Sequence, residues 1–176
     1  MNISKALWLL LLIGFGNVCH GENCISQIPD GAREIVSGFR DWRIVTLTDL
    51  PADDQQLWQT SHNGRCPGVA SGNFMGGTQP SYVIAMIHNQ RSGKLLEQLL
   101  ILIPEGKSFK RTILVKPTAV VSPFVVWKLS PGKYKGVDQE QSIEIPHDSF
   151  VYEKIEAFAT QYYYDDGHLH SIVTAN

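Results

Sequence analysis

The sequence of 176 residues has only three cysteines, a formal net charge of −2 and, beyond its N-terminus, no long apolar run. A charge so close to zero lacks the strongly basic face that generic nucleic-acid binding requires, so we expect no nucleic-acid partner. After the N-terminal region no segment approaches the ~20 apolar residues of a membrane helix, so we expect no integral membrane segment in the mature chain. The remaining composition is that of one globular domain.

The sequence also lacks the common catalytic motifs. It contains no Gly-x-Ser-x-Gly nucleophile elbow, and nothing in it resembles a phosphate-binding loop. The paired acids Asp53-Asp54 and Asp165-Asp166 lie at a predicted helix start and a predicted turn, where local structure accounts for them. These absences favour a protein that is not an enzyme, and we predict no cofactor.

The N-terminus has the pattern of a secretory signal peptide. Lys5 supplies a positive charge, the apolar run from Ala6 to Phe15 is too short to span a bilayer, and Cys19-His20-Gly21 offers small residues for cleavage. We therefore predict a signal peptide at 1–21 and an exported mature domain at 22–176, in the periplasm or outside the cell.

Removal of the signal peptide leaves two cysteines, Cys24 and Cys66. In an oxidising compartment this pair is expected to form a disulfide. The bond would tie the start of the mature chain to the glycine-rich stretch that follows Cys66. The alternative, a nucleophilic or metal-binding Cys66, lacks a neighbouring base and further soft ligands.

Turn residues divide the mature chain into short apolar segments typical of β-strands. Strands are predicted at 42–47, 82–88, 95–103, 108–116, 119–129, 143–145, 151–164 and 168–173. Because Ser122-Pro123 interrupts the segment 119–129, we expect an edge strand or a bulge there. The dipeptide Asp166-Gly167 predicts a hairpin between the last two strands.

Helical signals are confined to the first part of the mature chain. Asp53 is a predicted N-cap for a short helix, whereas Ile28-Pro29-Asp30-Gly31 has the composition of a turn. We therefore predict an α+β, mostly β, single domain. It should contain a twisted antiparallel sheet and one or two short helices near the N-terminus.

Charge is distributed in blocks along the mature chain. Residues 22–87 carry four basic and seven acidic side chains, residues 88–136 carry nine and two, and residues 137–176 carry one and eight. The balances are −3, +7 and −7. Such blocks either face a charged partner or lie on neighbouring strands and pair with each other.

A glycine-rich stretch precedes the first long apolar strand. It reads Gly72-Asn73-Phe74-Met75-Gly76-Gly77-Thr78-Gln79-Pro80-Ser81-Tyr82-Val83. This pattern resembles the hairpin loop of the FG-GAP repeats, which in integrin-type propellers carries acidic side chains at alternating positions and binds calcium. Here Asn73, Met75, Gly77 and Ser81 stand where the acids would be, so the loop offers too few hard oxygen ligands. A single copy also cannot build a propeller.

We therefore expect this stretch to be a metal-free loop, braced by Cys66 and anchored by the apolar side chain of Phe74. Such a loop either presents a binding surface or simply connects two strands. The candidate interaction residues are the polar or flexible positions around its glycines: Asn73, Met75, Thr78 and Gln79.

The histidines offer a different possibility. His168 and His170 lie two residues apart on a predicted strand, so both project from one face. This spacing suits zinc if a third ligand folds beside them. The candidates for that ligand are His147, Asp148, Asp165 and Asp166.

These features favour an exported, non-enzymatic domain that binds another protein, such as a periplasmic inhibitor or an immunity protein against a secreted toxin. One alternative is a metal-dependent hydrolase that acts on envelope material through His168 and His170. Another is a structural envelope component, which lipidation of Cys19 would favour. The residues Gly16-Asn17-Val18 before that cysteine do not resemble a lipobox.

Overall fold

The computed structural model describes residues 21–175. The predicted signal peptide, apart from Gly21, and the candidate lipidation site Cys19 lie outside this range. Among the described residues no helix combines the length and the apolar character needed to cross a membrane.

Residues 21–175 form two α-helices, two short 3-10 segments and eleven strands. The helices are α1, Asp30–Ser37, and α2, Ala52–His62. The strands are β1 Arg43–Ile44, β2 Val69–Gly72, β3 Ser81–Asn89, β4 Leu95–Glu105, β5 Ser108–Val120, β6 Val125–Leu129, β7 Gly132–Tyr134, β8 Ile143–Ile145, β9 Ser149–Lys154, β10 Phe158–Asp165 and β11 His168–Ala175.

The helix α1 replaces the turn that the sequence predicts at 28–31, so that prediction is wrong. The Pro29 carbonyl accepts hydrogen bonds from the backbone N–H groups of Ala32 and Arg33, at 3.0 and 2.9 Å, and so begins a helix. The side chains of Ala32 and Val36 lie one turn apart and are both buried against the sheet. Pro and Asp are common in the first positions of both turns and helices, so Pro29 and Asp30 do not distinguish the two. The burial of Ala32 and Val36 favours the helix.

The short helix predicted from Asp53 is present as α2, but Pro51 rather than Asp53 is its N-cap, so that part of the prediction is wrong. The helix begins after Pro51 and ends at Asn63, whose φ of 50° is left-handed and closes the helix. Trp58 is 2% exposed and joins the core, whereas the neighbouring Leu57 lies on the outer side.

All strand pairings are antiparallel, and the mostly β fold with two short N-terminal helices is confirmed. The strands divide into three sheets rather than one. Sheet I has the order β1-β3-β4-β5, with β2 also paired to β3; sheet II has the order β11-β10-β9-β6; β7 and β8 form a two-stranded sheet.

The segment 119–129, expected as one strand, belongs to two sheets. Its beginning completes β5, which continues through Pro117 and forms the edge of sheet I. The residues around Ser122-Pro123 cross to sheet II, where β6 forms an edge. Pro117 is tolerated inside β5 because an edge strand leaves the outward N–H positions without a partner.

Sheet I is covered on both faces. One face packs against sheet II in a core that includes Val83, Leu99, Ile101 and Phe150. The opposite face packs against α1 and the disulfide through residues such as Ile84. The middle of β3 and of β4 is therefore almost free of solvent, and this explains the continuous apolar runs in their sequences.

The disulfide between Cys24 and Cys66 is present, with the two Cα atoms 5.3 Å apart and both residues buried. It joins the start of the described chain to the segment that leads into β2. Such a bond is typical of proteins in an oxidising environment.

The hairpin predicted from the Asp166-Gly167 dipeptide is confirmed. The two residues connect β10 to β11 with φ angles of 46° and 77°. Positive φ at both central positions defines a type I′ turn, whose twist matches that of the strands.

We predict that replacing both disulfide cysteines, Cys24→Ser with Cys66→Ser, lowers the free energy of unfolding by about 4 kcal/mol, because the cross-link restricts the unfolded chain. The sequence separation it closes is 42 residues. Urea unfolding followed by tryptophan fluorescence measures the change, and unfolding of the wild type in reductant should give a similar loss. Equal stability of the variant and the oxidised wild type would contradict the prediction.

Candidate interaction surfaces

The loop between β2 and β3, residues 73–80, is the first candidate surface. Its four candidate residues, Asn73, Met75, Thr78 and Gln79, are all exposed. Phe74 between them is 0% exposed and packs edge-on against Phe150 of sheet II, with the ring centroids 5.2 Å apart. One buried aromatic ring thus anchors a loop whose neighbouring side chains face solvent.

Two further contacts hold this loop. The backbone N–H of Asn73 donates a hydrogen bond of 2.8 Å to the Asp148 carboxylate. Gly76 has a φ of 72°, and a Cβ placed there would lie 2.6 Å from the imidazole Nε2 of His147. The segment 147–148, between β8 and β9, therefore fixes the loop at two points. Only glycine meets both the conformation and the space at position 76.

We predict that Gly76→Ala destabilises the protein by about 2–3 kcal/mol, through backbone strain and contact with His147. Gly77→Ala is the matched control, because its Cβ would meet nothing within 4 Å. That control should stay within about 0.5 kcal/mol of wild type. Chemical unfolding of both variants tests the pair, and equal stabilities would show that His147 does not brace the loop.

The second candidate surface is the β5 edge, defined as the unpaired outer side of Ser108–Val120. Nine of its thirteen residues are exposed. Among residues 21–175 no strand pairs with this side of β5. The edges of sheet II are better protected: the Val126 N–H donates to the Pro67 carbonyl at 2.7 Å, and the Val137 N–H donates to the Val173 carbonyl at 2.9 Å.

The charge of the β5 edge is strongly positive. The only acid between Gln98 and Val137 is Glu105. Four cationic side chains lie on β5 or in the turn before it: Lys107, Lys110, Arg111 and Lys116. The three ion pairs found in the described part of the chain involve other basic residues.

The basic and acidic blocks of the sequence meet at one ion pair within residues 21–175, between Lys128 and Asp148, where the N–O distance is 3.5 Å. The basic block supplies β5 in sheet I, and the acidic block supplies β9 and β10 in sheet II. The two blocks do meet on neighbouring strands elsewhere, since β6 pairs with β9 and Lys133 on β7 lies opposite Glu144 on β8. Within residues 21–175, however, β5 pairs with β4, which belongs to the basic block itself. The positive charge of the β5 edge stays available to an external partner.

The histidines of the proposed zinc site lie on β11. His168 is opposite Asp165, and His170 is opposite Tyr163, with which its ring stacks at a centroid distance of 5.4 Å. His147 instead contacts Gly76. Across residues 21–175, no three His, Cys, Asp or Glu side chains converge in a group that could hold a metal ion. The hydrolase hypothesis gains no support from this arrangement.

A buried carboxyl group, which the sequence analysis did not single out, lies between the two large sheets. Glu97 is 1% exposed and accepts hydrogen bonds from the Phe124 N–H, at 3.0 and 3.2 Å to its two oxygens. Tyr152 on β9 also bonds to this carboxyl. Burial raises the pKa of Glu97 to about 7, and burial together with Glu97 raises the pKa of Tyr152. The group fastens the crossover segment to both sheets.

The signal that could have identified this residue is the lone acid in the run Leu95–Ile103. An acidic side chain inside a continuous apolar strand must either stay exposed to solvent or accept hydrogen bonds from buried donors. Its donors come from β9 and from the residues before β6, which are distant in sequence.

We predict that stability falls as the pH rises between the ordinary pKa of 4.5 and the folded-state value of about 7 for Glu97. The folded state holds the proton over this range while the unfolded state releases it, so up to about 3 kcal/mol is lost on going from acid to neutral pH. Glu97→Gln keeps an acceptor for the Phe124 N–H and should remove this slope.

Urea unfolding at a series of pH values provides the measurement. The control is Glu105→Gln, an exposed carboxyl that should leave the pH profile unchanged. Glu97→Gln should also be more stable than wild type above neutral pH. A slope that persists in Glu97→Gln would assign the pH dependence to another group.

A cavity of about 380 Å³ lies where β2 meets β6, beside the end of α2. Trp58 and Trp127 form part of its wall, with His62 stacked on Trp58 at 3.9 Å. Burial and the nearby Arg65 charge lower the pKa of His62. Both indole N–H groups are already bonded, to the Arg65 carbonyl at 2.7 Å and the Glu153 carboxylate at 2.8 Å. These rings therefore stabilise the junction of the sheets.

Comparison of the chain with protein-family models, curated proteins and solved structures found no match. The resemblance of residues 72–83 to an FG-GAP loop therefore stays a prediction. The features of the protein that bear on its function are the loop 73–80 and the β5 edge.

Proposed function

We propose that the protein is an exported, non-enzymatic domain that binds another protein through the β5 edge. The observation that carries the proposal is an edge strand of thirteen residues whose basic side chains take part in none of the ion pairs found in residues 21–175. The Cys24–Cys66 disulfide supports an exported location, because such bonds persist in oxidising compartments.

Charge and exposed apolar surface occur together on this edge. Ile113 is 42% exposed, and Val121, just after the strand, is 94% exposed. Apolar side chains within a ring of charges are typical of binding surfaces, since the apolar contacts give affinity and the charges steer the encounter. The partner therefore presents acidic side chains around an apolar contact.

The loop 73–80 lies at the same end of sheet I as the start of β5. Tyr82, directly after the loop, contacts Phe109 edge-on with the ring centroids 5.7 Å apart. A partner seated on the first half of β5 is thus close to the exposed residues of the loop. We include the loop as a second, weaker contact.

Within this class we propose an inhibitor of, or an immunity protein against, a secreted protein. The surface supports this role because it is formed before binding: β5 is held by β4 along its length, and the loop is held by Phe74 and Asp148. A preformed surface loses little conformational freedom on association, and charge steering makes that association fast.

The proposal predicts that the mature protein captures a specific partner from envelope or secreted extract, and that Lys110→Glu with Lys116→Glu weakens the complex about tenfold or more. Binding of the captured partner should also weaken as salt is added. Biolayer interferometry gives both quantities.

The matched control is Arg91→Glu with Lys135→Glu, which makes the same charge change at two exposed positions of the same basic block outside β5. A second variant carries alanine at Asn73, Met75, Thr78 and Gln79 to test the loop. The proposal fails if no specific partner is captured, or if the β5 variant binds as tightly as the control.

A further inference from the structure

We propose that residues Ser108–Ile113 of the β5 edge bind an extended, acidic segment of the partner as an added strand of sheet I. This inference rests on the proposed function and specifies how the partner is recognised. Strand addition at an exposed edge obtains affinity from backbone hydrogen bonds and specificity from alternate side chains.

The register of sheet I defines the length of the site. Ser108 to Ile113 lie opposite six consecutive residues of β4, from Glu105 back to Leu100, without interruption. Register shifts then follow at Leu99–Leu100 and at Glu97–Leu99. Pro117, which lacks a backbone N–H, lies within the second of these shifts, between Val115 and Thr118. A regular edge of six residues therefore remains for pairing, which matches the usual length of a strand.

The side chains of this segment divide between two faces. The Phe109 ring lies against α1, 3.6 Å from the point that a Cβ on Gly31 would occupy. The Arg111 guanidinium lies over the Phe39 ring, 4.9 Å from its centroid. Phe109, Arg111 and Ile113 therefore share the face that carries α1. Lys110 and Thr112 lie on the other face, because side chains alternate along a strand.

This alternation predicts the composition of the bound segment. Opposite charges on directly facing residues stabilise a strand pair. The positions opposite Lys110 and Arg111 should therefore be acidic, one on each face. The position opposite Ile113 should be apolar, since it would cover the exposed part of that side chain.

A second copy of this chain fits the edge poorly. Antiparallel pairing of two β5 edges would bring Lys110 and Arg111 of both copies close together, and like charges that face each other are destabilising. The β11 edge contains no acidic residue between His168 and Ala175. The same cations that disfavour self-pairing select an acidic segment.

The test uses a synthetic peptide of about eight residues with two adjacent glutamates between valines and threonines. Hydrogen exchange of the β5 amides is measured by NMR in the mature protein with and without millimolar peptide. Alternate amides of 108–113, which point away from β4, should exchange about tenfold more slowly when the peptide is bound. Lys110→Glu should remove the protection, whereas the Arg91→Glu and Lys135→Glu control should keep it.

A second peptide has the same sequence with an N-methyl group at every residue, so its charges are kept while all backbone donors are lost. It should give no protection. Equal binding of both peptides, or no protection of 108–113 by the first peptide, would overturn strand addition. Protection that grows with protein concentration alone would overturn it in favour of a second copy.

The results of the peptide experiment can be distinguished from those of the partner-capture experiment. Capture of a partner sensitive to Lys110 and Lys116, without peptide protection of β5, would leave protein binding intact and reject the added strand. Protection of β5 by the peptide supports the binding mode whether or not the natural partner is recovered from the extract.

Discussion

The burial of both faces of sheet I is the constraint on which the rest of the fold depends. The middles of β3 and β4 carry apolar side chains on alternate faces, and residues 83–87 and 99–102 are at most 1% exposed. Exposing either face to water would destabilise the fold, since burial of each aliphatic side chain contributes about 1.5–3 kcal/mol to the free energy of unfolding. Sheet II covers one face. The helix α1, tied down by the Cys24–Cys66 disulfide, covers the other.

The connection between the two large sheets uses polar groups as well as apolar packing. The Pro67 carbonyl accepts a hydrogen bond from Val126, so the segment before β2 continues the edge of sheet II. The Glu97 carboxyl binds the crossover before β6 and the Tyr152 hydroxyl of β9. These bonds fix how one sheet lies on the other. The same carboxyl makes the stability of the junction depend on pH.

Within residues 21–175, burial of the interior leaves the long β5 edge without a strand partner. Outward N–H and C=O groups on an edge strand invite pairing with another chain, and natural proteins commonly limit this with lysine, proline and bulges. The β5 edge has all three, but they are unevenly placed: the bulges and Pro117 lie in its second half. The first half stays regular, exposed and cationic. It is therefore protected against self-association while remaining open to an acidic strand, and this combination links the fold to the proposed protein-binding function.

The sequence by itself determined the mostly β class, the Cys24–Cys66 disulfide, the presence of α2 and the Asp166-Gly167 hairpin. Each depends on local turn chemistry, on periodicity, or on there being only two cysteines to pair. Only the tertiary structure decided that Ile28–Gly31 begins a helix, that the strands divide into several sheets, and that the segment 119–129 is shared between two edge strands, β5 and β6. It also decided that β5 pairs with a strand of its own basic block and that Glu97 is buried. These properties depend on which distant segments become neighbours in the fold. The residues of a strand do not determine which other strand pairs with it.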